Sequence, residues 1–441
     1  MLWKPSGGAG QRLRDNRHRS PRRPAMPATA GDEAMTTHGS HKKPARRPPA
    51  PRGHEPAAPA TADDADGEDL DVAFRVTRPQ LAAALFISVV VLAAGLTLSA
   101  SVANLGIGAR DVEGAVMPPG MIMTRDTPAQ AMRDMAAVDP DALTYRAPVD
   151  ARGDQLLEPT MDGDVKVFQL EASVIEWNIL DYERVMAYAF NHQVPGPRIR
   201  LTVGDRVRIR VTNHLPEPTT VHWHGLIVPN AMDGPAEITQ DPIPPGGWFD
   251  YEFTANQAGT FFYHSHSHVD RQQALGLYGA LIVDPHGAAA AHPADQEVVV
   301  QLQEWTEREG YTYPAMPMEG LLPNFFTING KAYPETETIH ARVGDQLLIR
   351  FIGSSSAFIH PMHIRGGPFT VIATDGVSLA EAARYQKDTV NVAPGERYDV
   401  LWTAPEPGKW LLHCHINHHT TNDNVEEEGG GGLMMIIGVS H

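Results

Sequence analysis

Four closely spaced histidine groups stand in the second half of this 441-residue chain: His222-Trp223-His224, His264-Ser265-His266, His360-Pro361-Met362-His363 and His413-Cys414-His415. Side chains along a strand alternate between its two faces, so histidines two apart project together while the residue between them points away. One face of each strand is therefore expected to offer two imidazoles, the side chains most used to bind a metal near neutral pH. A single pair of this kind is common on any surface. Four of them in register with an internal duplication point to bound metal.

Cys414 is the only cysteine, against 21 histidines. That ratio excludes a disulfide framework within the chain, and any zinc or iron–sulfur site that needs several thiolates from one subunit. Because Cys414 alternates with His413 and His415, its sulfur must leave the strand on the side opposite their imidazoles. Two metal centres, one on either side of a single strand, are implied. On the thiolate side, two imidazoles and a weak or absent axial ligand would make the trigonal arrangement of a blue-copper electron-transfer site. His360 and His419 are the candidate partners. The equivalent of Cys414 in the other repeat is Ser265, a poor copper ligand, so only the second repeat is expected to hold this centre.

The elements that must position these residues read as strands. Val203-Gly204-Asp205-Arg206-Val207-Arg208-Ile209-Arg210 recurs as Val343-Gly344-Asp345-Gln346-Leu347-Leu348-Ile349-Arg350, and both copies alternate apolar and polar residues after a Gly-Asp turn. A second match aligns Pro245 to His266 with Pro394 to His415 without a gap. Short strands with frequent Gly and Pro turns predict an all-β body of two tandem Greek-key sandwiches, over residues 159–288 and 289–441.

The N-terminal part is different. Residues 1–78 read as a disordered tail, basic to residue 53 and then acidic, without apolar periodicity. No aromatic residues interleave with its charges, so no nucleic-acid partner is expected. The uncharged run Leu81–Ala103 within residues 79–103 is long enough to cross a bilayer, which takes about 20 residues. The chain carries a net charge of −17, and its basic excess lies before the span. That asymmetry predicts a signal anchor with the tail in the cytoplasm and the body outside it. Residues 104–158 form a linker whose Met117, Met121, Met123, Met132 and Met135 either collect Cu(I) or pack on the body.

Across residues 160–441 the four motifs resemble a multicopper oxidase of the two-domain, laccase-like kind. The resemblance implies cupredoxin-like domains and about four copper ions per protomer. It implies a type 1 copper that takes electrons from a phenolic, aromatic or metal-ion donor, and a trinuclear cluster that reduces O2 to water. By motif, His360, Cys414 and His419 would hold type 1 copper, His222 and His363 type 2, and His224, His264, His266, His413 and His415 the type 3 pair. Small laccases also imply a homotrimer with clusters shared between subunits. Asp233, in Met232-Asp233-Gly234-Pro235, matches the family's acidic residue near the cluster. It is read either as a proton donor or as an Asp-Gly turn.

Three departures from the family pattern stand out. Arg365 occupies the place of a type 3 histidine, and a guanidinium cannot act as a metal ligand; His268, His418 or water would have to fill in. The stretch HTTNDNVEEEGGGG, from His419 to Gly432, is inserted before Leu433 and puts Leu433 at the axial position as a non-coordinating residue, with Met434 as the alternative. Its Glu426, Glu427 and Glu428 are placed near the substrate entrance. Asp241 stands where many three-domain relatives have a cysteine. Two other readings remain open at this point: a copper nitrite reductase-like enzyme, or a copper-binding electron carrier with an impaired cluster.

Overall fold

The computed structural model describes residues 129–287, 294–317 and 320–441, together with residues 79, 83, 85–94, 111–112 and 115–116. The tail to residue 78 and most of the expected linker methionines lie outside the described residues. Of the expected span, residues 85–94 are helical and expose Leu85, Phe86 and Ile87. No helix among the described residues is long and apolar enough to cross a membrane.

The body is all-β, as expected, and consists of two sandwiches with matching topology. The first contains β1 (Val165–Asn178), β2 (Arg184–Phe190), β3 (Gly196–Thr202), β4 (Arg206–Asn213), β5 (Val221–His224), β6 (Trp248–Thr254), β7 (Gly259–Ser265) and β8 (Tyr278–Asp284). One sheet runs β6-β4-β1, and β2 also pairs with β1; the other runs β3-β8-β7-β5. Alternation along β4 buries Val207, Ile209, Val211 and Asn213 and leaves the arginines between them outward. This is the pattern of a sheet packed on one face.

The second sandwich contains β9 (Gln296–Arg308), β10 (Phe325–Ile328), β11 (Ile339–Arg342), β12 (Gln346–Ile352), β13 (His360–Ile364), β14 (Phe369–Thr374), β15 (Thr389–Val392), β16 (Arg397–Thr403), β17 (Gly408–Cys414) and β18 (Met434–Ser440). Its sheets run β9-β12-β16-β14 and β11-β18-β17-β13-β15. The parallel pairs β1/β4 and β3/β8 of the first sandwich recur as β9/β12 and β11/β18. Each sandwich encloses its own apolar core, around Trp223 and Tyr251 in the first and Trp402 and Met362 in the second.

The sandwiches are joined by a buried aromatic cluster that includes Trp177, Tyr278 and Trp305, and by a second patch of Phe262, Ile282, Val299 and Ile352. Burying such a side chain contributes about 1.5–3 kcal/mol. Polar links add specificity: Arg200 pairs with Asp284 and Glu297, and Thr260 Oγ1 donates to Asp399 across the seam at 2.6 Å. Met135 of the linker is buried beside Tyr313, Met316 and Leu321. It packs on the body, which is the second of the two roles considered for the linker methionines.

Candidate metal centre

Strand register brings the motifs together. In the second sandwich β13 pairs with β17 so that Met362 lies opposite Cys414 and His363 opposite His413. Along β13, His360, Met362 and Ile364 are buried while Pro361 and His363 face outward. His360 and His363 therefore lie on opposite faces of their strand. This corrects the expectation that every motif offers two imidazoles on one face: a spacing of three reverses the direction in a strand.

On the buried face three donors converge. His360 Nδ1 stands 3.1 Å from His419 Nδ1, and Cys414 Sγ stands 3.5 Å from the same nitrogen. All three side chains are buried, and their donor atoms lie within 4.8 Å of one another. Two ring nitrogens and a sulfur aimed at one point fit a soft cation with trigonal nitrogen and sulfur ligation, as copper takes. His419 stacks on Phe326, with ring centroids 4.2 Å apart. Burial lowers the His419 pKa to about 3 and raises that of the Cys414 thiol to about 12. The imidazole is thus already in its ligand form, whereas the sulfur must lose a proton to bind metal.

On the outer face His363, His413 and His415 form one group, with ring centroids 5.5 to 5.7 Å apart. In the first sandwich His222, His224, His264 and His266 form another, and one donor atom each from His222, His224 and His264 fits within 4.8 Å. Among the described residues, ring contacts join members within each group and none joins the two groups. Backbone carbonyls hold the ring orientations: Nδ1–H of His222, His264, His363 and His413 donates to the carbonyls of Asp233, Ser265, Asp388 and Cys414, at 2.6 to 2.9 Å. Nε2 is then the nitrogen turned toward a metal in each ring; that of His264 faces His224 Nδ1 at 3.2 Å, and that of His413 is buried with no hydrogen-bond partner. Such carbonyl partners are what orient histidine ligands in metal sites. Burial pushes the pKa of His222 and His413 down and that of His264 well down. Burial and then the charge of Arg397 bring His224 to about 3.

The duplication can be read position by position. Thr219, Val221 and Ser265 occupy in the first sandwich the places of His360, Met362 and Cys414, so that copy lacks the thiolate-side donors. Arg365 occupies the place of His224. Neither proposed substitute reaches it: His268 is bound to Asp134 at 2.7 Å, and His418 is held by Asn424 beside Phe326 on the thiolate side. Asp233 caps a turn, and its carbonyl rather than its carboxylate makes the short contact to His222; the carboxylate is 3.4 Å away.

Leu433 is fully buried in the core that contains Cys414, and its carbonyl accepts the Cys414 N–H at 3.0 Å. Met434 pairs with His413 and lies outside that core cluster. The inserted loop is pinned rather than free: Asn422 donates to Tyr333 and Glu427 and accepts from Gly432, and Tyr182 donates to Glu427. Glu426, Glu427 and Glu428 are exposed. Three residues were missed in the sequence: Phe326, Arg397 and Glu304, the last fully buried with Oε1 3.2 Å from His360 Nε2. The available signal for Glu304 was a carboxylate inside an otherwise buried strand.

Profiles of the multicopper oxidase family match residues 171–288 and 300–425. The chain belongs to the multicopper oxidase family. Laccase-1 of Cryptococcus neoformans var. grubii is 33% identical over 258 residues, 51% of this chain and 39% of that protein. Multicopper oxidase MmcO of Mycobacterium tuberculosis is 32% identical over 50% of this chain and 48% of its own length. The chain thus spans about two-fifths to half the length of these curated multicopper oxidases. Among solved structures, the blue copper oxidase from Nitrosomonas europaea is similar, with 33% identity, a TM-score of 0.56, and coverage of 62% of this chain and 85% of that one.

Proposed function

We propose that this chain is a copper-dependent oxidase that takes electrons one at a time from a small donor and passes them to O2. The observation that carries the reading is the placement of His360, Cys414 and His419 on one face of β17 and of His413 and His415 on the other. Copper bound there would supply the redox chemistry, one-electron oxidation on the thiolate side and reduction of O2 to water on the histidine side. The peptide between Cys414 and its two neighbours links the faces through a few covalent bonds. Asp233, partly exposed beside His222, is suited to hold a proton for the oxygen-reducing side.

The donor class is phenols, aromatic amines or low-valent metal ions, and the nearby carboxylates favour cationic ones. Asp423, four residues after His419, accepts a hydrogen bond from Asn324 Nδ2 at 2.8 Å, and the same amide donates to the Glu307 carbonyl at 3.0 Å. Burial raises the pKa of Glu183 and Glu307, and repulsion adds to it, from Glu307 and Asp423 on Glu183 and from Asp423 on Glu307. The two histidine groups are only partly buried and make no ring contact with each other, which favours a homotrimer in which each group meets its counterpart on a neighbouring copy. The apolar run Leu81–Ala103 and the basic tail before it favour a membrane-anchored protein with the sandwiches outside the cytoplasm.

Oxygen uptake by the copper-loaded full-length chain, with a phenol, Mn(II), Fe(II) and Cu(I) offered in parallel, tests the function. Donor-dependent uptake is expected for at least one of them. Absence of uptake with every donor, from a protein that binds copper, would overturn it.

A further inference from the structure

Glu304 does not belong to any ligand group, and among the described residues it is the buried carboxylate without an Arg or Lys against it, whereas Asp154 pairs with Arg198 and Asp399 with Arg350. Both Glu304 and His360 are fully inaccessible to solvent. Oε1 accepts the Phe358 N–H at 3.0 Å and faces His360 Nε2 at 3.2 Å. Oε2 is buried with no hydrogen-bond partner. Among the described residues its one ion-pair partner is His360. A carboxylate left in a protein interior needs compensating positive charge nearby, because desolvation of a lone ion is costly.

The duplication shows where such a carboxylate is used. Gln169 pairs with Arg210 in the first sandwich as Val299 pairs with Arg350 in the second, so the counterpart of Glu304 is Val174. Val174 is fully buried too, in the copy that has Thr219 in the place of His360. The carboxylate occurs in the copy that has the His360, Cys414 and His419 donors and is a methyl-bearing side chain in the copy that lacks them. Its cross-strand partner on β10 is Phe326, the ring stacked on His419. One pair of residues thus buttresses both imidazoles of the group.

We propose that Glu304 is a positioning residue that fixes His360 as an Nδ1 ligand and sets the redox potential of the copper held there. With Nε2–H donated to the carboxylate, the only free lone pair of the ring is on Nδ1, which is the atom facing His419 and Cys414. A carboxylate on the far nitrogen also makes the ring a stronger donor. Its negative charge, undiluted by solvent, favours Cu(II) over Cu(I) and lowers the potential. The proposal rests on the type 1 reading of the three-donor group.

The test is a redox titration of the copper-loaded full-length chain against its Glu304→Gln variant, followed through the blue absorption band. Glutamine retains an oxygen that can accept from both His360 and Phe358; it removes the charge and puts an amide NH2 where the unpartnered Oε2 stands. The variant is expected to keep the band and its copper content, while the Cu(II)/Cu(I) ratio at a fixed poise falls at least tenfold, about 59 mV for one electron. A change of less than about twofold would overturn the proposal. Where Glu304→Gln does not fold, the reduced, 15N-labelled unmutated protein decides. A slowly exchanging His360 Nε2–H signal supports the proposal and its absence overturns it. An unmutated copper-loaded chain with no blue band would overturn the type 1 reading itself, whereas a blue chain whose potential is unmoved by Glu304→Gln overturns only the role of Glu304.

Discussion

Arg365 of the second sandwich occupies the place that His224 occupies in the first: one follows His363 by two residues, just past the end of β13, and the other follows His222 by two residues at the end of β5. A histidine two after the first in that strand adds an imidazole to the shared face, and an arginine adds a permanent cation. The positive charge of Arg365 helps push the His413 pKa down, after burial and the neighbouring His363. Replacing Arg365 with His should therefore raise the copper bound per chain and raise O2 uptake with any donor the unmutated protein uses. Metal analysis and an oxygen electrode read both. If copper content stays the same, the register place is not a ligand place in this chain.

Cys414→Ser should abolish the blue band and donor oxidation while leaving the sandwiches folded, because the hydroxyl is smaller than the thiol and the second core around Trp402 is otherwise intact. The first sandwich supplies the control, since Ser265 already sits at the equivalent place and is fully buried. Circular dichroism should be unchanged and the thermal midpoint should fall by only a few degrees, which corresponds to about 1 kcal/mol in a domain of this size. Retained oxidation of a donor by the serine variant would remove the type 1 assignment.

The fold and the ligand faces were legible because a period of two is the strongest local signal a sequence carries, and here it was printed twice. Alternation in β4 and β12 gave the sandwiches, and Cys414 between two histidines gave the division into two faces. The same rule failed at His360 and His363, where the spacing is three and the two imidazoles part company. Glu304, Phe326 and Arg397 were not legible because each reaches the site from another strand; only tertiary pairing brings β9 and β10 beneath His360 and His419 or sets Arg397 beside His224. Asp233 was half legible. Its Asp-Gly turn was visible, but the use of its carbonyl to orient His222 depends on how that turn packs.

Leu433→Met should lower the redox potential of copper held by His360, Cys414 and His419 without bleaching its blue band. Leu433 is buried in the core that holds Cys414 and is hydrogen-bonded to it through the backbone, so a thioether placed there can approach the metal. A weak axial sulfur donor favours Cu(II). Leucine and methionine are close in volume, and the exchange should cost less than about 1.5 kcal/mol. A potential that stays the same would place the axial direction elsewhere, with Met362, opposite Cys414 across the strands, the next residue to exchange.

Gly234→Ala should damage the first histidine group without touching a ligand. Gly234 has φ of +100°, and a Cβ there would run into the carbonyl of Val221, the residue before His222. Relief requires the turn or the strand to move, and the Asp233 carbonyl that holds His222 moves with it. A cost of about 1–3 kcal/mol is expected, together with reduced copper content in the histidine groups and a preserved blue band. Equal loss of both kinds of copper would mean that the variant acts through global unfolding instead.

Loading the metal-free protein with Cu(I) should release about one proton for each copper that enters the thiolate-side group, and affinity should rise about tenfold per pH unit through the neutral range. The sign follows from the two shifts. Burial lifts the Cys414 thiol to about 12, so the sulfur holds its proton at every pH below that and must give it up to bind. Burial lowers His419 to about 3, so that ring is neutral at pH 7 and contributes no proton until the solution is strongly acidic. Proton release measured in weakly buffered solution reads this number directly. Release near zero would mean that Cys414 is already a thiolate in the folded protein, held so by a cation the sandwich itself provides.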